Sequence, residues 1–281
     1  MKKSLKFQFI SMLSSKGFNI SILILCIYSI AVPIYYGIKF TNGDINEVPA
    51  AYAFFIGSSL NEIPSRIFYT IMPLMVVLPF ADSYFCDREN KTIYAVLSRC
   101  SVNDYYFGKL ICVFASGFIV IFTPLILNFI LNLLIFPFDS TIEFYMGFGQ
   151  IQNQLYSLRD IGVDIIFRSL FFSNHYLYEL VYMIIASLFG GLFSVIVYQF
   201  SFFYRGNRII LNSLFFIIFN VLNLVFGIVK TSFCITLDCY IISDRTYGEQ
   251  NYLVFFALIA VCILCAFAPI PFAKKKMLEI I

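Results

Sequence analysis

Runs of about twenty apolar residues, with scarcely a charge among them, recur along this chain and limit its fold more tightly than any other feature. A hydrocarbon core about 30 Å thick is crossed by ~20 residues of α-helix. Backbone N–H and C=O groups find no water there, so each crossing segment must satisfy its own hydrogen bonds as a helix. A transmembrane barrel would need alternating strands of ~10 residues, and these runs do not alternate. Composition agrees. The chain is 60% hydrophobic, 19% aromatic and only 12% charged, whereas a soluble domain carries roughly a quarter charged residues. The sequence therefore reads as an all-α polytopic membrane protein, with residues 1–281 as one transmembrane domain.

Six transmembrane helices are expected, at about Ile20–Ile38, Pro64–Phe80, Tyr106–Phe136, Leu177–Phe203, Ile209–Ile228 and Tyr252–Phe272. Pro33 predicts a kink in the first. Pro73 and Pro79 interrupt the second, which is short. The third is long enough to tilt strongly or to break at Pro124. The first run is expected to be retained, because Tyr35-Tyr36-Gly37 follows it in place of a small-x-small cleavage site. Ahead of it, residues 1–16 carry Leu5, Phe9, Met12 and Leu13 at helical spacing among Lys2, Lys3, Lys6 and Lys16. That pattern predicts an N-terminal amphipathic helix in the membrane interface, or a basic flank that only sets topology.

Lysine and arginine counts orient the spans. The N-terminus, residues 81–109, Arg205, Arg208 and the tail Lys274–Lys276 hold 13 of them on one side. Lys39, Arg66, Arg159, Arg168, Lys230 and Arg245 make 6 on the other, where the acids are also more numerous. Both termini and residues 81–109 are thus expected to be cytoplasmic. The outside receives residues 39–63, a large loop at 137–176, and 229–251. Abundant Phe, Ile, Asn and Lys with no Trp point to an AT-rich bacterial genome, and so to a bacterial plasma membrane.

The chain has no G-x-x-x-x-G-K-[ST] loop, hence no ordinary ATP cradle, and no paired metal-ligand spacing. No cofactor is expected on this chain and no catalytic constellation can be assembled. Its single histidine, His175, falls in an expected external loop and reads as a surface residue. Ion-coupled carriers hold ionisable groups at mid-membrane. Here Glu179 and Lys109 stand only at span ends. Work, if the chain uses any, comes from elsewhere.

The spans carry amides and small residues instead. Asn128 and Asn132 are four apart on the third span, and Asn212, Asn220 and Asn223 share roughly one face of the fifth. Ala186, Gly190 and Ser194, with Ser187 and Gly191, make small-x-x-x-small rows on the fourth. These residues read as helix packing, or as a pathway lining or dimer seam. Cys234 and Cys239 share the last external connection, where they can pair across a turn or stand as two free thiols.

The densest polar stretch is Ala81 to Lys109. It begins with Asp82, Asp87, Arg88 and Glu89, continues with the apolar side Ile93, Val96 and Leu97, and reaches Arg99, Tyr105 and Lys109. Phe80-Ala81-Asp82, the turn Asp87-Arg88-Glu89-Asn90-Lys91-Thr92, Leu97-Ser98-Arg99, Tyr105 and Lys109 resemble the cytoplasmic connection of ABC-2 type permeases, the membrane subunits of one class of ABC transporters. The departure is Asn90-Lys91, where a glycine is common. The resemblance spans the whole topology and implies that 81–109 contains a coupling helix docking on a separate ATPase subunit, which would bind ATP and Mg. Asp82, Asp87, Arg88, Glu89 and Arg99 would make docking contacts, with Leu97 filling an apolar pocket of the partner. It further implies a homodimer or a second permease, short helices between Lys230 and Asn251, and outward movement of a peptide-like, antibiotic or amphipathic cargo. The lipid bilayer is the other partner, and no nucleic acid is. Without an ATPase, the same topology would suit a membrane sensor, an immunity protein or a scaffold, with 81–109 as a mere connector.

Overall fold

The computed structural model describes residues 2–41, 48–57, 62–138, 165–204, 206–228, 235–243 and 250–278. Among them the chain is helical, with no β-strand. Helix α1 (Lys2–Leu13) leads directly into α2 (Lys16–Phe40), whose first turn is closed by Ser15 Oγ accepting from Phe18 N at 3.2 Å. A side-chain oxygen at this position satisfies one of the amides that a helix start leaves unpaired. A short 3-10 turn (Ala51–Phe54) precedes α3 (Glu62–Val77). Two brief helices, α4 (Ser83–Glu89) and α5 (Thr92–Leu97), then form an elbow. Next come α6 (Val102–Ile135), α7 (Arg168–Ser173), α8 (His175–Ser201) and α9 (Arg208–Ile228). The chain closes with α10 (Asp238–Ile241), α11 (Tyr252–Phe267) and α12 (Ile270–Leu278).

Five segments are long and apolar enough to cross a membrane: α2, α6, α8, α9 and the bent pair α11–α12 over Tyr252–Met277. The expected second span differs. Its helix α3 has 16 residues, about 24 Å at 1.5 Å per residue, and ends before Pro79, which has no N–H to continue the ladder. The end of α3 is instead held by the start of α2, where Ser15 Oγ donates to Pro79 O at 2.9 Å. Gly17 permits that approach, since a Cβ there would lie 2.2 Å from Leu78 O. Neither Pro33 nor Pro124 breaks its helix. Helix α6 runs uninterrupted for 34 residues, roughly 51 Å.

Helices α6 and α8 form the centre, with α2 and α1 packed on α6, α11 on α8, and α3 across both. The small-residue row of α8 is what brings α6 so near. Gly190 faces Gly117 of α6, and Gly191 sits under the Phe114 ring. These glycines therefore pack helices within the chain. Ser194 donates to Val76 O at 2.5 Å, tying α3 to the same crossing.

Helix α1 packs on α6 by one face and leaves part of its apolar stripe uncovered by protein. Met12 is buried, as is Gln8, while Phe9 and Leu13 are exposed. The face that packs on α6 runs through Gln8 and Met12 because α6 continues past the bundle and offers α1 a surface.

Candidate functional site

The elbow between α3 and α6 gathers the chain's charge at one end of the bundle. Contacts place the start of α6, the ends of α1 and α8, the start of α9 and α12 around it. Cys112 Sγ lies 4.0 Å from Leu5 O of α1, and Lys274 of α12 lies 4.1 Å from the Phe107 ring centroid. The elements expected on one side of the membrane are thus together.

Asp87 is the pivot. Its carboxylate forms an ion pair with Lys109 of α6 and accepts from Tyr105 Oη at 2.5 Å and Thr92 Oγ1 at 3.2 Å. Lys109 is 1% exposed and Asp87 27%. The lysine also donates to Tyr105 Oη at 3.0 Å, and its Nζ stands 5.7 Å from the Phe80 ring centroid. A lysine taken so far out of water needs its charge matched locally, and Asp87 supplies the match. Arg88 Nη2 donates to Tyr204 O at 3.1 Å, beyond the end of α8. Tyr84 stacks on Phe202 at 3.8 Å. The inner face of the elbow is therefore fastened to α6 and to α8.

Six residues were expected to face a partner, and the elbow divides them. Asp82 is half-buried at the N-cap of α4, where Asn212 Nδ2 approaches it at 3.5 Å. Asp87 and Arg88 are turned inward, as described. Leu97 packs with Val96 and fully buried Ile93 against the core. Leu97 is only partly buried there, so part of its side chain stays open at the surface of the elbow. Glu89 and Arg99 are exposed. The large exposed side chain of the elbow is Tyr94, at 49%. Its place one residue after Ile93, about 100° round the helix and off the Ile93–Val96–Leu97 side, was the signal for it in the sequence.

Between α4 and α5, Lys91 adopts the left-handed conformation with φ 57°. A Cβ in that conformation costs about 1 kcal/mol. Lys91→Gly is expected to leave chain stability unchanged or raise it by up to ~1 kcal/mol, whereas Lys91→Val lowers it by at least as much. Thermal unfolding in detergent measures both.

Burial holds the Asp82 carboxyl above the ordinary carboxylate value, against the opposing pull of Arg208. Burial likewise raises the Cys86 thiol, with Asp82 adding to it and Arg208, whose Nη1 donates to its Sγ at 3.3 Å, opposing it.

The amides expected as packing or lining residues all bond within the chain. Asn128 Nδ2 donates to Ser29 O at 2.9 Å, and its Oδ1 accepts from Ile56 N and from Asn132 Nδ2. Asn220 donates to Phe216 O at 2.9 Å, and Asn223 to Asp238 of α10 at 2.8 Å. Sequence reasoning missed Gln199, which accepts from Tyr106 Oη at 2.7 Å and donates to Ala266 O at 3.0 Å, joining α6, α8 and α11. It also placed His175 on the surface. The ring instead stacks on Tyr52 at 4.6 Å and meets Phe171 edge-on, because the helix start folds against the 3-10 turn. Cys239 is disulfide-bonded, and Cys234 lies outside the described residues, as does most of the 137–176 loop. Among the described residues no group of His, Cys, Asp and Glu could hold a metal ion. No family model, curated protein or solved structure matches this chain.

Proposed function

We propose that this chain is the membrane-spanning permease subunit of an ATP-driven exporter of the ABC-2 type, in a bacterial plasma membrane. A separate ATPase subunit binds ATP and Mg and docks on the α4–α5 elbow. The chain pairs with a second copy or a similar permease and moves a peptide-like, antibiotic or amphipathic cargo outward. In this reading α3, with the turn to Phe80, completes six spans, and both termini are cytoplasmic.

One observation carries the proposal. The elbow presents Glu89, Lys91, Tyr94 and Arg99 to the outside, while its inner face is bound to α6 through the Asp87–Lys109 pair and to the end of α8 through Arg88. A device that passes force from a partner to the spans needs both properties. It needs an accessible aromatic and charged face, of the kind that carries interface energy, and a rigid link behind it. A connector that merely joined two spans would need no buried ion pair.

The test is recovery of the complex. With the affinity-tagged chain co-expressed in turn with the ABC ATPase subunits of its own genome that lack a membrane domain, Tyr94→Asp and Arg99→Glu are each expected to cut the ATPase that co-purifies with the wild type at least about tenfold, the effect of losing one interface residue worth ~1.4 kcal/mol or more; recovery of none of them with the wild type would sink the proposal. Leu97→Ala is expected to act through stability of the chain rather than recovery of the partner. Full recovery with both surface variants would remove the elbow as the docking site.

A further inference from the structure

Helices α9 and α11 both rest on α8 and scarcely touch each other. The space between them is a cavity of about 760 Å³, within the range of small-molecule sites, ~300–1,000 Å³. Its floor is α8, whose lining residues run from Ile196 to Phe203, roughly 10 Å at 1.5 Å per residue, and on to Tyr204. The first half of α9 makes one wall, and the end of α11 with its bend into α12 makes the other. Pro269, which has no N–H to give to a helix, stands in that bend.

The groove is apolar along its length and charged at one end. Its lining holds no Lys, Arg, Asp or Glu. Phe200 on the floor and Leu264 on the wall are 56% and 63% exposed, so the groove is open along one side. All three helices belong to membrane-crossing segments, which makes that open side a hydrocarbon-facing one. At the end of α8 the setting changes. Lys276 of α12 lies over the ring of Phe203, its Nζ 4.9 Å from the centroid, and forms no ion pair among the described residues. It stands at the last turn of its membrane-crossing segment, Tyr252–Met277, where headgroups lie.

We infer that this groove is a site for one anionic phospholipid, with an acyl chain between α9 and α11 and the phosphate on Lys276. A groove left empty forfeits the dispersion contacts of its walls, and an acyl chain supplies them without desolvating any polar group. The lysine sets the sign of the headgroup. A phosphate bearing a net negative charge gains Lys276, whereas the added cation of a zwitterionic headgroup meets no carboxylate in the lining. The same lysine separates this occupant from the apolar helix of a second copy, which has no counterpart for a cation at the mouth. The lipid belongs to the leaflet on the side of the elbow, since Arg88 of the elbow donates to Tyr204 O at this end of the groove. The inference rests on membrane insertion of the chain and is independent of any ATPase.

The chain contains no tryptophan, so one introduced indole reports its own surroundings. Phe200→Trp places it on the open floor of the groove, and Ile217→Trp places it on α9 at a 54% exposed position outside the lining. Each full-length variant is reconstituted, with no ATPase present, in vesicles of phosphatidylcholine and phosphatidylglycerol, one of the two brominated on its acyl chains. Quenching by the brominated lipid then gives the relative affinity at each reporter. At Phe200→Trp, phosphatidylglycerol is expected to be favoured about fivefold, the effect of one basic residue near the membrane surface. At Ile217→Trp both lipids quench without preference. Adding Lys276→Ala to Phe200→Trp removes the preference and leaves quenching by brominated phosphatidylcholine in place, because the apolar groove still takes a chain. No preference at Phe200→Trp, the same preference at Ile217→Trp, or a preference that survives Lys276→Ala overturns the anionic site. Quenching at Ile217→Trp with none at Phe200→Trp means that protein covers the groove, and overturns the lipid as its occupant.

Discussion

Asp87→Asn is expected to destabilise the chain by about 3–5 kcal/mol, and Lys109→Met by less than half as much. The asymmetry follows from where the two charges sit. Lys109 is 1% exposed, so removing its carboxylate strands an ammonium inside the bundle with only Tyr105 Oη and two aromatic faces for company. Asp87 is 27% exposed and keeps Tyr105 and Thr92 as donors when the lysine is gone, so its charge is partly returned to water. Replacing both partners removes the buried charge together with its match, and Asp87→Asn/Lys109→Met should regain most of the loss. Unfolding in mixed micelles, read on the four members of the cycle, measures this. Equal costs for the two single variants, or simple addition in the double, would mean that the pair does not hold the elbow to α6. In the functional reading, Asp87→Asn would also uncouple ATP hydrolysis from transport, whereas the double variant would keep a fastened but uncharged link.

Gly117→Leu is expected to cost at least about 3 kcal/mol, from overpacking at a site with no give. Even the first added carbon has nowhere to go. A Cβ at Gly117 would stand 2.2 Å from Ser194 Oγ and 2.5 Å from Gly190 O. The hydroxyl can rotate away, at the loss of its bond to Val76 O, but the carbonyl belongs to the backbone of α8. Helices α6 and α8 must therefore separate, and α3 loses its anchor on the crossing. Gly227 is the control. Nothing lies within 4 Å of a Cβ there, so Gly227→Ala should cost nothing and gain the helix preference of alanine. Midpoints of thermal unfolding in detergent distinguish the two. A Gly117→Leu chain as stable as the Gly227→Ala chain would show that the α6–α8 approach is looser than these distances.

Both predictions concern contacts that join residues far apart in the chain, and this separates what was legible from what was not. Hydropathy alone marked α2, α6, α8, α9 and α11–α12 as membrane-crossing, because length and apolarity are properties of one segment in one solvent. The row Gly190–Ser194 announced close packing for the same kind of reason, since small residues four apart always share a helix face. The faces of Ile93, Val96 and Leu97 followed from helical period. Periodicity says which residues share a side and not what lies against it, and the structure shows Ile93 buried and Val96 and Leu97 partly so against the core.

The second span was expected to be short and interrupted by Pro73 and Pro79, and its helix ends at Val77. Apolarity continues to Phe80, but Pro79 has no N–H to give to the ladder, and the segment beyond Val77 meets Ser15 and Gly17 at the start of α2. The amides of α9 looked alike in the sequence, yet each met a different partner: Asp82 for Asn212, backbone of its own helix for Asn220, and Asp238 for Asn223.

By itself, then, the sequence determined an all-helical chain with membrane-crossing segments and one charged elbow between them. Each of those follows from the free energy of placing single residues in water or in hydrocarbon. The tertiary structure decided which charges of the elbow face out. Lys109 is apolar in all but its tip and sits two turns into α6, near the end of the apolar run, where a side chain can snorkel to water or be buried with a counter-ion. Only the folding of α4 against α6, bringing Asp87 to it across 22 residues of chain, chose the second.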